Sequence, residues 1–129
     1  MNKILIEVSV GELLDKISIL EIKKDKVKDE EKLKFIVNEH EILKEQLDKN
    51  IKADEKINKL YQSLKEINAK LWVIEDDKRQ CEKESDFGEK FIKLSRDVHF
   101  LNDDRAKIKL EINTLTGSKI KEIKEYTSY

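Results

Sequence analysis

Two stretches of this chain carry an aliphatic residue every three or four positions, and the second stretch mirrors the first. The first series is Ile57, Leu60, Leu64, Ile67, Leu71, Ile74, Lys78 and Cys81. The second is Phe91, Leu94, Val98, Leu101, Arg105, Ile108, Ile112 and Leu115. Steps of three and four put each series on one stripe of an α-helix, with the spacing of a coiled-coil seam and one charged position in each. Pairing Ile57 with Leu115, Leu60 with Ile112, Leu64 with Ile108, Leu71 with Leu101 and Ile74 with Val98 gives every pair the same midpoint, residue 86. That residue lies in Ser85-Asp86-Phe87-Gly88-Glu89, a break made of turn and capping residues. Two seams that fold onto each other about such a break form an antiparallel hairpin, with Asp86 or Ser85 capping the second helix.

The rest of the chain reads as helix with short ends. Ile4, Ile6 and Val8 alternate with Lys3, Leu5 and Glu7, which is a short strand pattern or an extended arm; pairing with a second chain would give it a partner. Ser9 and Glu12 have capping-box spacing, and each can bond the other's backbone amide. A wide stripe of Leu13, Leu14, Ile17, Ile19, Leu20 and Ile22 follows, so this helix should be well covered. Asp29 caps a helix with the seam Leu33, Ile36, His40, Leu43 and Leu47. Gly117 suits a left-handed cap at the end of the last helix, and Ile120 and Ile123 offer one further turn. The expectation is an all-α fold, one domain over residues 1–129. It has an extended arm at 1–8, helices over 9–28, 29–50, 54–84 and 89–116, and a tail at 117–129. Long, coiled-coil-like antiparallel hairpins point to a dimeric helical bundle.

Composition agrees and removes several functions. The 129 residues hold no proline and three glycines, with 43% charged and 38% hydrophobic residues, a profile of long helices rather than disorder. Net charge is −1 with the signs interleaved, so no basic block invites DNA or RNA. No apolar run approaches the ~20 residues that span a bilayer, and the opening residues do not form a secretory leader, so a cytoplasmic location follows. The single cysteine, Cys81, forms no internal disulfide and reads as an inert packing thiol. His40 reads as a core-edge histidine. In this register Cys81 lies about 12 Å along its helix from the position facing His99, too far to share a zinc ion. Adjacent acidic pairs such as Asp76-Asp77 point different ways around a helix. No metal, cofactor or catalytic constellation is legible, and no phosphate loop or nucleophile elbow is present.

One flank of the hairpin stands apart. Tyr61, Asn68 and Glu75 face Ser95, Asn102 and Lys109, with Trp72, Ile92, His99 and Ala106 one row out. Helices 1 and 2, a second chain or a ligand would cover this mostly uncharged side. Arg105 sits on the seam opposite Ile67 and needs an acceptor if it is buried. Asn68, Trp72, Glu75, His99, Asn102, Arg105 and Lys109 therefore form the candidate ligand site. Arg105 and Lys109 would clamp an anion, Trp72 would be its wall and Glu75 an acid or acceptor. The same residues also suit a polar layer that fixes helix register.

Several motifs resemble a bacterial family of small helical proteins classed as a domain of unknown function. They are Val8-Ser9-Val10-Gly11-Glu12-Leu13-Leu14-Asp15-Lys16, Leu71-Trp72-Val73-Ile74-Glu75-Asp76, Asp86-Phe87-Gly88-Glu89-Lys90-Phe91-Ile92, Asn102-Asp103-Asp104-Arg105-Ala106, and Glu111-Ile112-Asn113 ahead of Gly117-Ser118. The resemblance implies no mechanism. It implies a place beside glycosyltransferases and other cell-envelope polysaccharide proteins, and it brings Trp72, Glu75, Asn102 and Arg105 into its motifs. The leading expectation is a self-associating interaction or scaffold protein, a homodimer with a possible protein partner, accessory to cell-envelope polysaccharide synthesis. The alternative is a small-ligand protein or small all-α enzyme that takes an anionic metabolite at the Arg105 cluster.

Overall fold

The computed structural model describes residues 2–52, 54–120 and 122–129. It consists of four helices, α1 (Val10–Lys26), α2 (Glu30–Asn50), α3 (Glu55–Glu84) and α4 (Glu89–Thr116), with no strand among the described residues. Local chemistry sets their ends. The Ser9 hydroxyl accepts from the Glu12 amide, Asp29 accepts from Glu31 and Lys32, and Asp54 accepts from Ile57. Gly117 closes α4 at φ 67°, the left-handed cap expected of it. Ile120 and Ile123 add no helical turn, and Ile123 is exposed.

The α3–α4 hairpin forms with its turn at the expected place. Its caps differ from expectation. Ser85 adopts the left-handed conformation that ends α3, and Gly88 is the N-cap of α4 without a side-chain bond. Asp86 instead accepts from the Gly88 amide at 3.1 Å, an Asx turn that tightens the corner.

α1 is the hub. It packs on α2, α3 and α4, whereas no Cα of α2 lies within 8 Å of one in α3 or α4. Gly11 lies beside Asn113 and Asp15 beside Arg105, so α1 runs antiparallel to α4 along the hairpin groove. The core is Leu14 and Ile17 of α1, Leu47 of α2, Ile57 and Leu64 of α3 and Ile112 of α4. α1 has 17 residues against 30 in α3. At ~1.5 Å rise per residue it covers little more than half of the hairpin, and the stretch toward the turn is a bare helix pair.

One further expectation is corrected and two open alternatives are narrowed. Leu115, placed on the seam opposite Ile57, is 48% exposed. At this end the core shifts toward α1, so Ile112 and Asn113 turn inward and Leu115 falls on the far side. Residues 2–8 form no strand; Ile4, Leu5 and Ile6 stand in solvent because no backbone edge lies beside them. The unusual flank is covered by α1, with Glu122 of the tail reaching Lys109 at one end. α2 takes no part, and Glu75, Ile92 and His99 stay exposed.

Candidate functional site

A buried ion cluster joins α1 to the hairpin where the sequence places Arg105. Gly11 makes the close approach possible. A Cβ there would lie 2.6 Å from the Lys109 carbonyl oxygen and 2.9 Å from Asn113 Oδ1, which accepts from the Gly11 amide at 2.7 Å. With the helices this near, Asp15 is almost wholly buried between them.

Every polar atom of Asp15 is engaged. Its Oδ1 accepts from Asn68 Nδ2 at 2.8 Å and from Arg105 Nε at 3.0 Å, while its Oδ2 accepts from Arg105 Nη2. The guanidinium thus meets the carboxylate edge-on through two nitrogens, the strongest pairing these groups make. Asn68 Nδ2 also donates to the Ser18 hydroxyl at 2.7 Å, and that hydroxyl donates to the Asp15 carbonyl. Arg105 Nη1 points to Asn102 Oδ1 at 3.5 Å. One turn along, the buried Lys109 donates to Glu12 Oε2 at 2.7 Å and to Glu122 Oε2 at 3.1 Å, and lies 3.4 Å from Asp15 Oδ2. Glu12 therefore spends its side chain on Lys109, so only the Ser9 half of the capping box forms.

The charges hold one another ionised. Burial alone would raise the Asp15 carboxyl. The hydrogen bonds from Arg105 and Asn68, with the charges of Arg105 and Lys109, outweigh it and keep the carboxyl below the usual carboxylate range. Arg105 is raised by its bond to Asp15, against burial. Lys109 loses by burial but gains more from Glu12, Asp15 and Glu122, and ends raised. Glu122 is lowered by Lys109. None of these groups sits near its switching point at neutral pH.

Beside the cluster lies an open cleft of about 330 Å³, lined by Ile19, Ile22, Asn68, Leu71, Trp72, Glu75, Asp76, Arg79 and Arg105. Of the residues expected at the site, Asn68, Asn102, Arg105 and Lys109 belong to the ion cluster. Trp72 and Glu75 line the cleft with Asn68 and Arg105. His99 is exposed on α4 and reaches neither. Glu75 makes no bond to Arg105, whose acceptor is Asp15. Sequence reasoning missed Gly11, Glu12, Asp15, Ser18, Asn113 and Glu122. A signal existed for part of this set: Gly11, Asp15 and Ser18 recur at steps of four and three, a small and polar line beside the apolar stripe of α1. Among the described residues no three His, Cys, Asp or Glu side chains stand together as a metal-holding group. Among the described residues no helix is long and apolar enough to cross a membrane.

Residues 4–129 match the model of the family described as Family of unknown function (DUF6165), and the chain belongs to that family. The likeness to an uncharacterised family drawn from the motifs is borne out by this match. No curated protein and no solved structure matches the chain.

Proposed function

We propose that this member of DUF6165 is a non-catalytic helical interaction protein that associates with itself. One observation carries the reading: of the 21 residues of α2 only Leu47 is buried, while Phe35 and Ile42 are 77% and 52% exposed. A helix with apolar residues on two faces and a single neighbour has a face left to cover. The ion cluster supports the same reading. Asp15, Arg105 and Lys109 spend their bonds on one another and on Glu12, Asn68 and Glu122, so none is poised as acid, base or nucleophile. Light scattering across a dilution series tests it. A molar mass that climbs toward twice the monomer with concentration is the expected result. A monomer up to the millimolar range would remove the reading.

The cleft favours a second reading, a site for a small anionic metabolite. Trp72 supplies a flat wall, and Arg79 and Arg105 supply guanidinium edges. Native mass spectrometry of protein purified from its own cells tests it: a retained small mass that is lost in Trp72→Ala would place the ligand in the cleft. The lone thiol of Cys81 fits a reducing, cytoplasmic compartment. An accessory role in cell-envelope polysaccharide synthesis is carried by the motif resemblance alone.

A further inference from the structure

The exposed face of α2 has a pattern that matches its own reverse. Phe35 and Ile42 are two turns apart and share one line on the helix. Glu31 and Lys49 are five turns apart and share the neighbouring line. Lys34 and Glu45 lie one line further toward the same edge. All of these residues are exposed. The midpoints of the three pairs, 38.5, 39.5 and 40, lie within half a turn of one another, close to Glu39.

Resting on the self-association proposed above, we infer that α2 packs antiparallel on α2 of a second copy of this chain, about a two-fold axis near Glu39. Phe35 then lies over the partner's Ile42, and the reverse contact repeats it. In an antiparallel pair each edge of a helix faces the same edge read backward. Glu31 therefore meets the partner's Lys49, and Lys34 meets the partner's Glu45, each twice by symmetry. A parallel pair sets each edge against the opposite edge of the partner at the same height, where neither Glu31 with Lys49 nor Lys34 with Glu45 can meet, so these pairs belong to the antiparallel arrangement. The groups are available. Within α2 the ion pairs are Lys44–Asp48 at 3.5 Å and Glu45–Lys49 at 3.1 Å, both in its second half, and such exposed pairs exchange at little cost. Glu39 meets the partner's Glu39 at the axis, the one like-charge contact of the set.

A second copy fits better than an unrelated protein, because a surface for an unrelated protein has no reason to be symmetric about its own midpoint. A 21-residue helix is about 30 Å long, and one face of it falls short of the ~800 Å² per partner of a standard interface. The dimer is accordingly a weak one, in the micromolar range.

The test is charge exchange across the axis, read by sedimentation of the full chain. Glu31→Lys or Lys49→Glu alone should weaken the dimer about tenfold. The two together in one chain restore both pairs and should return the affinity toward the starting value. Glu39→Cys, under mild oxidation, should give a disulfide-linked dimer, whereas Glu31→Cys, far from the axis, should not. Cys81 is 1% exposed and does not compete. Circular dichroism should show unchanged helicity in every variant, since the replaced side chains are exposed. A chain that dimerises but ignores the exchange and forms no Glu39→Cys link would leave self-association standing and overturn α2 as its surface. A chain that never dimerises would overturn both. Loss of dimer in the exchanged double variant, with the link absent and a heterologous protein captured through α2, would assign the face to that protein instead.

Discussion

Asp15 on the first helix closes a two-nitrogen ion pair with Arg105 on the last, across ninety residues of sequence, and Asn68 from α3 bonds the same carboxylate. Three helices thus meet at one buried anion. Such a group is costly to bury alone and tolerable only when every oxygen is bonded. The pair therefore fixes the position of α1 in the hairpin groove: a slide by one turn would leave a buried carboxylate without its partner.

Replacing Asp15 by Asn should strand the Arg105 charge, while Lys109 keeps Glu12 and Glu122, and lower stability by about 2–4 kcal/mol, discounted because Arg105 keeps some water contact. Urea denaturation of Asp15→Asn, Arg105→Met and the double variant forms the cycle that checks it. The double should lose clearly less than the sum of the singles, and additive losses would show that the pair is not coupled.

Acid should unfold the protein through the same group. The folded Asp15 carboxyl titrates below its unfolded range, so its contribution is present above the unfolded value and is lost as pH falls through the folded one. Arg105 and Lys109 are raised, so their contributions are complete at neutral pH and fade only in strong alkali. Thermal midpoints measured downward from pH 6 should fall steeply below the ordinary carboxylate range, and Asp15→Asn should flatten that fall. An equal slope in both proteins would count against the assignment.

Gly11→Ala is a helix-favouring substitution that should nonetheless destabilise, by about 1–3 kcal/mol. The added carbon would press on the backbone of Lys109 at 2.6 Å, and backbone cannot swing aside. Chemical denaturation checks the sign; a gain in stability would mean that α1 and α4 do not approach this closely.

The Tyr61 hydroxyl is buried without a hydrogen-bond partner among the described residues. Tyr61→Phe should therefore be neutral or stabilising, by up to about 1–2 kcal/mol, since it removes an unmet polar group and keeps the ring. A clear loss of stability in the same denaturation assay would reveal a bound water or partner at that oxygen.

Leu64 and Leu115 have the same rank in the sequence pattern and opposite fates. Leu64 is fully buried and Leu115 is half exposed. Truncation to Ala should cost about 2–5 kcal/mol at Leu64 and well under 1 kcal/mol at Leu115. Similar losses would restore the uniform heptad pairing at the open end of the hairpin.

Periodicity by itself determined four helices, the place of the turn and the antiparallel seam, because each follows from spacing along one chain segment and from a midpoint shared by Leu60, Leu64 and Leu71 with their mates. Caps at Ser9, Asp29 and Gly117 are local too, since a side chain bonds an amide two or three residues on, or a glycine takes the left-handed bend. Sequence also marked Arg105 as a charge in need of an acceptor. Only the tertiary structure decided which one. Asp15 lies ninety residues away on a helix whose azimuth in the groove is set by Gly11 meeting the α4 backbone, and no spacing rule reaches across that distance. The same packing decided that α1 rather than α2 covers the polar flank, that Leu115 leaves the seam and that α2 keeps a face in water. Those outcomes depend on how three helices share one groove, a property of their packing rather than of any one stripe.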